Sequence, residues 1–209
     1  MNDNSVPYWL LWARELQSIS QTGLAYSKSE HDTRRYERLR EISAEMVDHQ
    51  SAFSRETVLE NFRIQPGYAT IKVDVRAAVI KDAKILLVQE RSDKRWAMPG
   101  GWADVGELPS EMVKREVLEE SGFEVIPKKI IGVYDANRTP SKLEFYHAYK
   151  IVFLCEITGG HARTSEETMA VDFFDFNALP PLSFYRTSSR YIKEIRAHLR
   201  NPTRQTAFD

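Results

Sequence analysis

Apolar residues recur at helical spacing from Tyr8 to about Tyr26, on Trp9, Trp12, Ala13, Leu16, Ile19 and Leu24. A second stripe, Tyr36, Leu39, Ile42 and Met46, predicts a helix from about Asp32 to Gln50 with charges on its other faces. Ser54 is placed to cap a third, short helix carrying Val58, Leu59 and Phe62. Helices of this size have too little mass to bury their apolar faces alone. They must pack on the rest of the chain or on a second copy, and the two tryptophans of the first helix favour an interface.

After Ile64-Gln-Pro-Gly67, which reads as a linker, the pattern changes to strands. Ile71 to Ile80 and Lys84 to Glu90 flank a short turn at Lys81-Asp82-Ala83. Further strands are expected at Phe123 to Ile126, Lys129 to Tyr134, Glu144 to Ile157 and Val171 to Phe176. Polar loops separate them at Asp135 to Lys142 and His161 to Thr168, and an amphipathic helix from Ser188 to Leu199 closes the pattern. Strands interrupted and followed by helices imply an α+β fold, a mixed sheet between helical layers. The expected division is a helical domain at 1–66 and a second domain at 67–209.

The stretch Gly101 to Phe123 stands apart. Pro109 suits a helix's first turn and Gly122 its end, so a helix is expected from about 109 to 121. At about 100° per residue, Glu116, Glu119 and Glu120 share an arc of roughly 100°. Three crowded like charges destabilise a helix unless something offsets them. A solvated charged face is the plain alternative. Yet Met112, Val113 and Val117 lie beside these acids on the wheel, while Glu111 and Lys114 lie behind. Carboxylates bordering a buried side favour a hard divalent cation such as Mg²⁺.

The same residues carry a family resemblance. Gly101, five residues, Glu107, seven residues and then Arg115-Glu116-Val117-Leu118-Glu119-Glu120-Ser121-Gly122 matches every position of the signature box of the Nudix hydrolases. Trp96-Ala-Met-Pro-Gly-Gly101 also resembles that family's approach to the box, with Lys94 where relatives often have glycine. The resemblance implies an α/β/α sandwich over the region after the helices. It also implies hydrolysis of a nucleoside diphosphate linked to another moiety, with Mg²⁺ or Mn²⁺. By that resemblance Glu116, Glu119, Glu120 and the Gly100 carbonyl are the metal ligands, and Arg115 pairs with a box acid, Glu107 being the natural candidate. The base for the attacking water is Glu116, Glu120 or an acid of the later loop, where Glu166 ranks before Glu167.

Substrate contacts are expected from Arg76 and Tyr68, with Tyr134, Phe145, Tyr185 and Arg186 also considered. The layout resembles a subgroup described as CDP-choline or ADP-ribose pyrophosphatases, homodimers whose N-terminal helices join in the interface. CDP-choline, giving CMP and phosphocholine, is the first expectation and ADP-ribose the second. RNA as a substrate is possible but not indicated. A non-catalytic nucleotide-sugar sensor that regulates transcription is the reading of another class, and it is disfavoured because every box acid is present.

Composition trims the remaining options. The 209 residues are 42% hydrophobic and 28% charged, with net charge −1, so no broad electrostatic field draws nucleic acid or membrane. The basic segment Arg34 to Arg40 raises helix-turn-helix DNA binding, but glutamates interleave its arginines. Cys155 is the only cysteine, which excludes an intramolecular disulfide and a thiolate cluster. Its apolar strand suggests a buried structural thiol. Without a leader pattern or a long apolar run, the expected location is cytoplasmic.

Overall fold

The computed structural model describes residues 7–51, 54–63, 67–104, 106–136 and 147–209. Two compact units emerge, one built on the chain up to Ile71, the other on Lys72–Ala136 and Ala148–Asp209.

The first unit holds α1 (Tyr8–Tyr26), α2 (Glu30–Gln50) and α3 (Arg55–Arg63). Small residues let α1 and α2 approach closely. The Ser43 hydroxyl donates to the Ala13 carbonyl at 2.7 Å, and the Ser20 hydroxyl to the Tyr36 carbonyl at 2.7 Å. A Cβ at Gly23 would collide with the Tyr36 ring. Val58 and Leu59 of α3 pack with Ala13, Ala44 and Val47. The Phe62 side chain lies outside the described residues. Trp12 and Ile19, part of the apolar stripe expected to pack on the chain or on a second copy, are 56% and 47% exposed. The inward line is Leu10, Ala13 and Ser20, because close packing selects small side chains over large ones.

Among the described residues, the second unit is built on a seven-stranded mixed sheet. Its strands are β1 (Lys72–Lys81), β2 (Lys84–Glu90), β3 (Trp96–Ala97), β4 (Phe123–Asp135), β5 (Ala148–Gly160), β6 (Thr168–Asp175) and β7 (Ala207–Phe208). The order is β3-β2-β1-β5-β4-β7, with β6 pairing β2. β1 runs parallel to β5 and β4 parallel to β7, while the other pairs are antiparallel. Helix α4 (Pro109–Ser121) packs on one face, joining Met112, Val113 and Val117 to Val75, Ala77, Val79, Leu86 and Cys155. Helix α5 (Ser189–Arg200) covers the other, bringing Tyr191, Ile192 and Ile195 to Ala78, Ile85, Leu87 and Val152. The expected α+β sandwich, a sheet between helical layers, is therefore present. Burial pushes the Cys155 thiol up to about 12, which makes it inert.

Local chemistry explains several boundaries. Asp82 and Ala83 take φ of 49° and 59°, the two positive values a type I′ hairpin turn requires. Lys94 takes φ 58°, so the turn that glycine often occupies keeps a glycine-like shape despite its side chain. The two strands expected between Phe123 and Tyr134 are one, β4, because register shifts around Pro127 absorb the residue that cannot donate. The start of the long strand expected from Glu144 falls outside the described residues; what is described begins at Ala148.

Candidate active site

Three hydrogen bonds lay the segment after β3 along β1. Ala77 N–H donates to the Pro99 carbonyl, Val75 N–H to the Gly101 carbonyl, and Ala103 N–H to the Val73 carbonyl, each at 2.9 Å. Since the carbonyls of Pro99 and Gly101 both turn to β1, that of Gly100 between them turns away. Gly100 has φ 144°, and a Cβ there would strike the Val75 carbonyl oxygen and the Arg76 Cα. Only glycine fits.

The same backbone meets α4. Gly100 N–H donates to Glu120 Oε2 at 2.9 Å, and a Cβ at Gly101 would stand 2.8 Å from Glu116 Oε2. Helical spacing puts Glu116 and Glu120 one turn apart on the edge that includes buried Met112, Val113 and Val117. Both acids are buried; Glu119, with its side chain 57% exposed, is not. Pro109 opens this helix and Gly122 closes it at φ 77°, fixing its ends around the acids.

Arg115 gathers the remaining charge. Its Nε and Nη2 donate to Glu107 at 2.7 and 2.9 Å, a two-pronged pair, and its Nη1 donates to Glu119 at 2.8 Å. Nη1 also lies 3.0 Å from Glu116 Oε1. The hydrogen bond to Arg115 holds the Glu107 carboxyl below its ordinary value. Burial does the reverse inside: it raises Glu116 against the pull of Arg115 and Arg76, and pushes Glu120 up to about 8 against Arg76 and the Gly100 N–H.

Arg76 is buried, with Nε and Nη2 donating to Asp74 at 3.1 and 2.9 Å and Nη1 to the Met98 carbonyl at 3.3 Å. It therefore acts on Glu120 through its charge. The acid-bearing loop is tied in from both sides. Arg91 Nε donates to the Glu166 carbonyl and Arg91 N–H to the Glu167 carbonyl, each at 2.9 Å, and the Thr168 hydroxyl donates to the Glu120 carbonyl at 3.0 Å. The side chains of Glu166 and Glu167 are exposed.

Other considered residues are placed elsewhere. Tyr134 is buried against Tyr191, with ring centroids 4.8 Å apart, and offers no stacking face to a base. Tyr68 belongs to the helical unit, is 69% exposed, and lines a cavity of about 520 Å³ with Thr22, Tyr26 and Tyr36. Phe145 lies outside the described residues. One acid escaped the sequence reading: Glu90, buried at the end of β2. Its alternation with Leu86 and Val88, inward residues of the same strand, was the available signal.

The donor set suits a hard cation. Glu116 and Glu120 offer carboxylate oxygens out of water, and positive charge would offset the penalty burial places on them. Among the described residues no three acidic, histidine or cysteine side chains converge on one ion, and Glu119 reaches Arg115 instead. No helix among them is long and apolar enough to cross a membrane.

Comparisons with known proteins place the chain in a family. A family model described as the NUDIX domain matches residues 71–195. Another, described as a UDP-X-like, N-terminal oligomerisation domain, matches residues 7–62. A Bacillus subtilis (strain 168) protein provisionally named an ADP-ribose pyrophosphatase is 38% identical over 201 residues, covering 96% of this chain and 97% of that protein. The crystal structure of a UDP-X diphosphatase, 32% identical, aligns with a TM-score of 0.63 over 96% of this chain and 98% of that one. That of an ADP-ribose pyrophosphatase from Streptococcus suis 89-1591, 34% identical, aligns with a TM-score of 0.60 over 67% of this chain and 100% of that one.

Proposed function

This chain belongs to the Nudix hydrolase family, and from that premise we propose that it splits the diphosphate bridge of a nucleoside diphosphate linked to another moiety. The buried pair Glu116 and Glu120, seated on the Gly100–Gly101 backbone, is the observation that supports this most. In this reading the pair holds Mg²⁺, or Mn²⁺ in its place, with the Gly100 carbonyl as a further ligand. Glu119 joins only by leaving Arg115. When bound, the ion neutralises diphosphate oxygens and makes the attacking water more acidic.

The chain's own groups do the rest. Arg115 braces Glu107 and restrains Glu116, so the carboxylates keep their positions. Glu166, on a loop tied to Arg91, is our acceptor for the water's proton. Arg76 supplies buried positive charge against the substrate's anion.

The relatives' names support ADP-ribose over CDP-choline, which the chain's layout placed first, and one of them adds UDP-linked compounds. A Mg²⁺-dependent assay of ADP-ribose, CDP-choline, UDP-sugars, NADH and capped RNA at equal concentration tests this. The expected leader is ADP-ribose, releasing AMP. Preference for nucleoside triphosphates would overturn the substrate class, and binding without turnover would favour a sensor.

We further read the chain as a cytoplasmic homodimer, with residues 1–66 as the pairing domain. Tyr8, Leu11, Trp12, Ile19 and Tyr26 all lie exposed within an arc of roughly 100° on α1, a stripe an isolated chain would leave wet. Trp12→Glu should convert dimer to monomer in sedimentation analysis without changing the circular dichroism spectrum. An unchanged dimer would place the interface elsewhere.

A further inference from the structure

Glu90 is a buried acid beside this site for which the proposed reaction has no task. It ends β2, on the alternating face whose Leu86 packs with Met112, Val113 and Val117 of α4. Its cross-strand partner is Thr168, whose hydroxyl bonds the Glu120 carbonyl, so one residue links its backbone to the helix holding the carboxylates. Only 4% of Glu90 is exposed. Arg186 Nε lies 3.1 Å from its Oε1, yet the contact lacks hydrogen-bond alignment and Oε1 has no hydrogen-bond partner. Arg186 is also divided, with Nη1 3.7 Å from Asp93 Oδ2 and 3.3 Å from the Ser183 hydroxyl. The charge of Arg76 falls on Glu90, Glu116 and Glu120 alike, and Glu90 and Glu120 repel each other.

A buried carboxylate oxygen without a donor is costly, and natural structures rarely leave one unless something absent supplies the donor. A donor that brings positive charge would also offset the repulsion between Glu90 and Glu120. Direct ligation to a shared ion does not fit, since among the described residues no three acids converge. Mg²⁺, however, keeps several of its waters when a protein binds it. We propose that Glu90 is a positioning residue of the cation's hydration shell, its Oε1 accepting a hydrogen bond from water carried by the ion that Glu116 and Glu120 hold. This rests on the metal reading of those two residues. Outer partners of this kind typically contribute 10- to 100-fold in metal affinity or activity, as an order of magnitude.

Manganese titrations followed by electron paramagnetic resonance, with water-proton relaxation of the bound ion, separate the possibilities. Glu90→Gln should weaken Mn²⁺ binding about 10-fold and alter the relaxation enhancement. Arg186→Met should bind Mn²⁺ at least as tightly as wild type, since it removes a competing cation. Wild-type affinity in Glu90→Gln beside a loss in Glu120→Gln would overturn the proposal and leave Glu90 as an anchor for Arg186. An equal loss in Arg186→Met would do the same. Unchanged binding in both Glu90→Gln and Glu120→Gln would instead remove the metal reading, and the proposal with it. Should the Gln variant melt below the assay temperature, Glu90→Asp keeps the charge but withdraws the oxygen. Its binding should also weaken, and wild-type affinity there would be equally fatal.

Discussion

Glu120→Gln is expected to lower kcat by at least about 10³-fold while making the metal-free protein more stable than wild type at alkaline pH. The two effects have one cause. Burial opposes the Glu120 charge, while Arg76 and the Gly100 N–H relieve it only in part, so the native carboxyl titrates near about 8 instead of its ordinary 4.5. The native state then holds a proton that the unfolded chain releases. Stability from this group is fully present below about 4.5 and is lost as pH rises through about 8. A neutral amide keeps the bond to Gly100 and has no proton to lose. Unfolding free energies measured in chelator should therefore fall for wild type between pH 6.5 and 9 and change less for the variant, the difference being on the order of a few kcal/mol. His198 does not confuse that window, because burial lowers its value from 6.5 and its charging matters only at lower pH. A variant that still turned over substrate, or that matched the wild-type pH slope, would sink the assignment of Glu120.

How much of this could be read from residues alone depends on whether the deciding forces are local. The limits of α4 were legible because Pro109 and Gly122 act on their own backbone. The hairpin at Asp82-Ala83 was legible for the same reason, a short turn between two apolar runs that became the strands β1 and β2. The inward face of α1 was not legible, since Trp12 and Ala13 differ by one position and only the partner helix decides which turns in. Two-residue strands such as β3 and β7 have no period to detect. At the site, the helical wheel grouped three glutamates, but side-chain contacts divide them: Glu116 and Glu120 turn inward and Glu119 reaches Arg115. Arg76, expected at the substrate, is paired with Asp74, two residues away on the same strand. Glu90 was missed because a charged residue closing a strand resembles a strand end facing water.

The glycines around the box offer the sharpest test of the site's shape, because three neighbouring Gly→Ala changes should fail in three different ways. Gly100→Ala is expected to cost more than about 4 kcal/mol, among the largest single-residue effects. Its Cβ meets the Val75 carbonyl and the Arg76 Cα, which are backbone atoms in the central strand β1, and its φ of 144° is unfavourable for any side chain. Gly101→Ala should fold. Its Cβ meets the carboxylate end of Glu116, which can swing away, so the damage goes to kcat, by about 10- to 100-fold for a misplaced group. Gly106→Ala meets nothing within reach and suffers only its φ of 97°, a strain of about 1–3 kcal/mol with little effect on kcat. Denaturant midpoints and initial rates on the three variants measure both axes. If Gly100→Ala folded as well as Gly106→Ala, the glycine pair could not lie pressed on β1. If Gly101→Ala kept full activity, the position of Glu116 would not matter to the chemistry, and the paired-carboxylate site would have to be abandoned.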